Sequence, residues 1–121
     1  MKAVIENNTM KASALQVPAD GILPDVAVLR SIRISYATDA EGKKTNKVDA
    51  VRYNCINPTD FSSFTIKVVE GKPLMTNEEL EESEEPVYIA IPIDKVIIRP
   101  YEITYGVAKV TILSPYVSLA E

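Results

Sequence analysis

The sequence predicts an all-β protein with one short helix, and two of its features support this. Several segments alternate apolar and polar residues with a period of two, most clearly residues 31–36 and 64–68. That period gives a strand one buried and one exposed face. The strong helix signal lies at residues 76–83, which open with a threonine and a glutamate at capping-box spacing. With 121 residues, 46% of them apolar, one domain with a hydrophobic core is expected.

The order of these segments predicts a particular architecture. A helix placed between a three-stranded meander and later strands fits a small OB-like barrel of five to six strands. A helix-capped β-sandwich is the alternative. Residues 25–121 are predicted to form the barrel domain, with an acidic helix near 76–84. Residues 1–24 contain two prolines and a glycine and are predicted to be an N-terminal arm or an edge strand.

The alternation of apolar and polar residues is interrupted in the first strand of the meander. Residues 26–30 are apolar on both faces, and Arg30 falls on the face that Ile32 continues. A β-bulge near Leu29 and Arg30 would restore the alternation. The polar, glycine-containing residues 37–47 are typical of a hairpin loop.

The strands that follow bury their aromatic residues. Tyr53, Cys55 and Phe64 alternate with polar neighbours and are predicted to face the core. Beyond the helix, the segments 87–93, 95–101 and 104–113 carry strand patterns, and a turn is expected at Tyr105 and Gly106.

Composition excludes several kinds of chemistry. The chain has no histidine and one cysteine. An internal disulfide is impossible, the usual general base is missing, and a zinc site would lack ligands. We therefore expect no enzyme activity, no metal, no cofactor and an inert Cys55. The longest apolar stretch is interrupted by Pro92, Asp94 and Lys95 and the amino terminus is polar, so a cytoplasmic protein without a membrane segment is expected.

Charge is distributed unevenly along the chain. The formal net charge is −4, from 13 basic and 17 acidic residues, but six of the acids lie within residues 78–85. The rest of the chain therefore has 13 basic residues against 11 acidic ones. The net charge of −4 therefore combines a neutral-to-basic body with one acidic edge.

The basic residues of the predicted hairpin are candidate phosphate ligands. Lys43, Lys44 and Lys47 lie in its loop, and Arg33 and Arg52 lie on the outward faces of its strands. Flexible lysines can follow a phosphate backbone without reading bases. Tyr88 is predicted to point outward and could stack on a base. The plainer alternative is a hairpin made polar for solubility, with an edge protected by lysine.

The acidic helix and the carboxyl terminus suggest other kinds of interaction. Glu78, Glu79, Glu81 and Glu82 could bind a basic protein partner, although a solvated helix is the simpler explanation. The apolar residues of the tail and the expected strand edges make a homo-oligomer plausible.

Residues 48–68 and 84–113 resemble, in layout, small single-stranded-DNA-binding proteins of Gram-positive mobile elements and phages. The order of strand, basic hairpin, two strands and a late Tyr-Gly hairpin is similar to that of the binders of filamentous phages. In those proteins, basic and aromatic residues on a hairpin and on one face of the barrel bind the single-stranded DNA. The proteins are usually dimers. The resemblance implies the same role for the matching positions, which are Arg33, Lys43, Lys44, Lys47, Arg52 and Tyr88.

Three hypotheses result. The leading one is a sequence-tolerant binder of single-stranded DNA, or of RNA, without enzymatic activity. The second is a protein-interaction module or inhibitor that acts through the acidic helix or the C-terminal strands. The third is a structural subunit that assembles with itself.

Overall fold

The structure of the protein is a computed structural model, and it is described for residues 5–69 and 72–120. Strands make up 53% of it, and a single short α-helix is present among the described residues. The strands are β1 (Ile5–Glu6), β2 (Thr9–Lys11), β3 (Val26–Thr38), β4 (Lys44–Ile56), β5 (Ser63–Val69), β6 (Val87–Ala90), β7 (Ile97–Thr104), β8 (Val107–Ser114) and β9 (Ser118–Leu119). The helix α1 spans Asn77–Glu82. The predicted all-β class is confirmed.

The strands form one open sheet. Its order is β1-β2-β8-β5-β4-β3-β6-β9, and β7 pairs with the other edge of β8. The pair β5–β8 is parallel and the remaining pairs are antiparallel. The predicted OB-like barrel is not closed, and the strands form one sheet rather than the two of a sandwich. Among the described residues the outer edge of β7 has no strand partner, so the sheet stays open there.

The core lies on one face of the central strands. Ile32, Tyr53, Ile66 and Ile112 are register neighbours on β3, β4, β5 and β8, and each is at most 5% exposed. The register of β3 against β4 shifts between Leu29 and Ser31. The extra residue keeps Leu29 and Ile32 on the same buried face, which confirms the predicted bulge.

The amino-terminal segment belongs to this sheet. Residues 1–4 of the predicted arm lie outside the described residues. Strands β1 and β2 pair with each other, and β2 also pairs with β8. Ile5 and Met10 are buried in the same core cluster as the central strands.

Two asparagines complete the sheet where backbone pairing stops. Asn77 exchanges two hydrogen bonds with the backbone of Ile32, with Oδ1 accepting at 2.9 Å and Nδ2 donating at 2.7 Å. Asn8 exchanges two with Thr65, at 2.7 Å and 3.1 Å. Each side chain therefore replaces a strand neighbour and satisfies backbone groups that would otherwise be unpaired. Asn77 also fixes the start of α1 against β3.

The predicted capping box of α1 is present. The Thr76 hydroxyl accepts from the Glu79 backbone at 3.1 Å, and the Glu79 carboxylate accepts from the Thr76 backbone at 3.3 Å. Tyr53 holds the segment before the helix, because its hydroxyl accepts from the Leu74 backbone N–H at 3.1 Å. Among the described residues, no helix has the length and apolar character needed to cross a membrane.

The contact between Asn77 and Ile32 gives a stability prediction. Asn77→Ala removes both hydrogen bonds and leaves the Ile32 backbone groups without protein partners at a largely buried residue. We expect the free energy of unfolding, measured by urea denaturation, to fall by about 1–2 kcal/mol. Asn46→Ala, at an exposed position of β4, is the matched control and should change it little. Equal stability of the two variants would contradict this role for Asn77.

Candidate nucleic-acid interface

Three cations stand side by side on the outward face of the sheet. Arg33 on β3 lies opposite Arg52 on β4, which lies opposite Lys67 on β5. Directly opposed side chains have Cβ atoms about 4.5–5.5 Å apart, and like charges at that spacing are destabilising. Within residues 5–69 and 72–120, no carboxylate forms an ion pair with any of the three. We call these three residues the cation row.

Neutral polar groups orient and flank the cation row. The Arg52 guanidinium donates a hydrogen bond to the Ser35 hydroxyl at 2.8 Å, so an uncharged group positions this charge. In the neighbouring row, the Thr65 hydroxyl donates to the Asn54 side-chain oxygen at 2.7 Å, and the Asn54 amide donates to the Ser31 hydroxyl at 2.6 Å. The face therefore combines fixed cations with oriented hydroxyl and amide groups.

Acidic residues are nearly missing from these strands. Between their first and last residues, β3 and β5 contain none, and β4 contains only Asp49. Asp49 lies at a register irregularity, because Ser35 pairs with Ala50 and Tyr36 pairs with Val48. It stands three residues from Arg52 towards the hairpin end of β4, or about 10 Å along the strand at roughly 3.3 Å per residue. The central face is consequently cationic although the whole chain has a net charge of −4.

Two depressions adjoin on this face. One has a volume of about 300 Å³, and its lining includes Arg30 and the hydrogen-bonded side chains of Ser31, Asn54 and Thr65. The other has a volume of about 220 Å³, with Arg52, Lys67 and Tyr101 in its lining. Thr65 lines both of them. Each depression therefore places at least one cationic side chain beside neutral hydrogen-bonding groups.

The structure brings together two of the predicted site residues. Arg33 and Arg52 are direct cross-strand neighbours. Tyr88 is 43% exposed, and it lies opposite Val28 on the outward face. The distance along β3 from Val28 to Arg33 is about 16 Å at roughly 3.3 Å per residue. Tyr88 thus shares the face but stands apart from the cation row.

The three hairpin lysines lie at the far end of the β3–β4 ribbon. The last pair between β4 and β5 is Ala50 with Val69, so the ribbon continues beyond β5 without that neighbour. Lys44 is about 25 Å along β4 from Arg52, at roughly 3.3 Å per residue. The ribbon also contains three carboxylates, so its charges balance. These residues are Lys43, Lys44 and Lys47 on the basic side and Asp39, Glu41 and Asp49 on the acidic side.

The hairpin turn has a structural explanation of its own. The Asp39 carboxylate accepts hydrogen bonds from the backbone N–H groups of Glu41 and Lys43, each at 2.9 Å. Gly42 has a φ of +82°, a conformation that glycine adopts without strain. Residues 39–43 therefore form a fixed turn, and within residues 5–69 and 72–120 no hydrogen bond or ion pair joins its lysines to the central face.

Sequence reasoning missed two residues of the face. The alternation in residues 64–68 puts Lys67 on the polar face of its strand, but its position opposite Arg52 follows only once the β4–β5 register is known. Tyr101 occupies an irregularity in β7, because Pro100 pairs with Val110 and Glu102 with Lys109. The period-two pattern carries no signal for that extra residue.

The acidic helix stands on the other side of β3 from β4. Glu78, Glu79, Glu81 and Glu82 are all exposed. Glu79 is used in the capping box, and Leu80 packs against the core cluster. The helix thus has a structural role, while its remaining carboxylates face solvent.

The single cysteine and the metal-ligating side chains are the remaining candidate reactive groups. Cys55 is 1% exposed, and burial raises the pKa of its thiol to about 12. No group of three or more histidine, cysteine, aspartate or glutamate side chains that could hold a metal ion occurs in residues 5–69 and 72–120.

The chain has no match among protein-family models, curated proteins or solved structures. The resemblance to phage single-strand binders therefore stays a prediction.

The raised pKa of Cys55 gives a prediction about reactivity. The thiolate is the nucleophile, so the folded protein should react very slowly with Ellman's reagent at pH 8. Because the folded thiol keeps its proton, the thiolate should form in the folded state only as the pH approaches about 12. One equivalent should react promptly after denaturation in urea. Prompt reaction of the folded protein would contradict the burial of Cys55.

Proposed function

We propose that this protein binds single-stranded nucleic acid, without reading its sequence, on the outward face of β3, β4 and β5. The observation that carries the proposal is the cation row. Arg33, Arg52 and Lys67 are held next to one another without a described carboxylate partner. Such an arrangement costs free energy in the free protein. A bound polyanion would remove that cost.

The chemistry of the face fits a phosphate backbone. Lysine and arginine that neutralise phosphates release counterions, and this release drives binding that is independent of sequence. The hydroxyl and amide groups of Ser31, Asn54 and Thr65 can contact phosphate or sugar oxygens. Adjacent strands are about 4.8 Å apart, so the row spans roughly 10 Å. The contact would therefore be short, near the lower end of the ~4–16 nucleotides typical of single-strand binding modules.

The acidic net charge does not prevent this interaction at physiological salt. Exposed charges further apart than about 8–10 Å are largely screened at 0.10–0.15 M ionic strength. The helix α1 begins at the edge of β3, beside Arg33, and lies two strand positions from Arg52 and three from Lys67, or roughly 10 and 14 Å at about 4.8 Å per strand. Screening therefore separates its glutamates mainly from Arg52 and Lys67. Local contacts with the cation row would then outweigh the average repulsion.

The open edge of the sheet, at β7, is where a second copy of the chain would add a strand if the protein formed the expected homo-oligomer by edge pairing. Within the described residues, β7 pairs only with β8, which leaves its outer edge unpaired. Pro100 and the irregularity at Tyr101 interrupt that edge, and such features disfavour the addition of another strand. Self-assembly, like an origin in a phage or mobile element, stays a prediction.

The exposed glutamates of α1 favour a second candidate function, the capture of a basic protein. Glu78, Glu81 and Glu82 carry no described ion pair. Neutralising these three residues should abolish capture of the partner in a pull-down while leaving nucleic-acid binding intact. Retained capture would refute this candidate.

A pair of double variants tests the nucleic-acid proposal. Arg52→Gln with Lys67→Gln should weaken binding to a labelled mixed-sequence oligonucleotide of about 30 nucleotides by tenfold or more, because charged hydrogen bonds are lost. The slope of log affinity against log salt should decrease by about 1.4, or 0.7 for each lost single-strand contact. Fluorescence anisotropy at several salt concentrations measures both quantities.

The matched control is Lys43→Gln with Lys44→Gln, which changes the net charge equally at the far end of the ribbon. We expect it to keep most of the affinity and the salt slope. An equal or larger loss in this control would place the contact on the hairpin and contradict the proposal. Competition by duplex DNA of the same length then measures the preference for single strands.

A further inference from the structure

We propose that the depression beside Tyr101 is a nucleotide subsite, in which a base stacks on the Tyr101 ring while its phosphate lies on Arg52 and Lys67. This inference rests on the proposed function. It adds a contact to the base and so names the class of ligand more narrowly, as a nucleic acid rather than any polyanion.

The position of Tyr101 is created by the irregularity in β7. Arg99 pairs with Thr111, Pro100 with Val110 and Glu102 with Lys109, so Tyr101 is the one residue without a counterpart on β8. A bulge of this kind changes the direction of a side chain relative to its strand. Tyr101 is 67% exposed and nevertheless lines the depression together with Arg52 and Lys67.

The lining of the depression suits one nucleotide unit. It has a volume of about 220 Å³ and brings two cations, an aromatic ring and the hydroxyl groups of Thr65 and Thr111 to one place. Stacking requires an accessible ring face, and phosphate binding requires cations beside it. Both requirements are met without moving a strand.

The nearest acidic residue in β7 is already neutralised. Glu102 follows Tyr101 and forms an ion pair with Lys109 at 2.8 Å. This hydrogen bond and the charge of Glu102 raise the pKa of Lys109. Glu102 is the one carboxylate of β7 and β8, and the charge of Lys109 balances it.

Other exposed tyrosines lack this setting. Tyr105 is fully exposed at the tip of the β7–β8 hairpin, with a φ of +53°. Tyr88 stands at the other end of the outward face. Tyr36 and Tyr116 are exposed as well, and none of these four tyrosines lines either depression. Tyr101 is therefore the tyrosine that the fold combines with the cation row.

Tyr101→Ala, Tyr101→Phe and the control Tyr105→Ala test the inference. The probes are a mixed-sequence oligonucleotide of about 12 nucleotides and an abasic oligonucleotide with the same number of phosphates. We expect the protein to bind the base-bearing probe at least tenfold more tightly than the abasic one. Tyr101→Ala should remove most of that difference while leaving abasic binding and the salt slope unchanged, because no phosphate contact is lost. Tyr101→Phe and Tyr105→Ala should behave like the parent.

The outcomes separate the inference from the proposal on which it rests. If the parent binds both probes equally, or if Tyr101→Ala keeps the full preference for bases, the stacking subsite is wrong while phosphate binding stands. If the parent binds neither probe at low salt, the proposed function fails and the subsite fails with it. Circular dichroism and thermal unfolding show whether each variant is folded.

Discussion

The register of the three central strands is the constraint on which the rest of the structure depends. Side chains alternate along a strand, so a slip of one residue would exchange the two faces completely. The observed register places Ile32, Tyr53 and Ile66 in the core. Their sequence neighbours form the cation row on the opposite face. The apolar core therefore fixes the positions of the three cations, although these like charges repel one another.

Segments outside the meander hold that register in place. Asn77 pairs with the free edge of β3, and Asn8 pairs with β5 where its parallel contact with β8 begins. The Tyr53 hydroxyl ties the loop before α1 to the same core. The helix and the amino-terminal hairpin thus act as braces for the sheet. A helix of six residues has little intrinsic stability. These contacts explain why α1 nevertheless forms next to β3.

Local patterns predicted the strands better than they predicted the site. Alternation in residues 31–36 and 64–68 identified β3 and β5, and the misplaced Arg30 identified the bulge. Closure of the sheet depends on which strands meet over long sequence distances, and local periodicity does not contain that information. The hairpin was predicted to bind phosphates because three lysines lie close together in its sequence. Its carboxylates are visible in the sequence, but its distance from Arg52 became clear only from the fold. Lys67 and Tyr101 come to the site from separate strands, through a cross-strand pairing and a bulge.

The most direct test of this account is a titration of ¹⁵N-labelled protein with a short single-stranded oligonucleotide, followed by amide chemical shifts. The account predicts that the shifted amides cluster on β3, β4 and β5 around Arg33, Arg52 and Lys67, and extend to Tyr101 on β7. Amides of the hairpin tip at residues 41–47 and of α1 should change little. Shifts centred on the hairpin tip or on α1, with the central strands unaffected, would contradict the claim that the cation row is the binding surface.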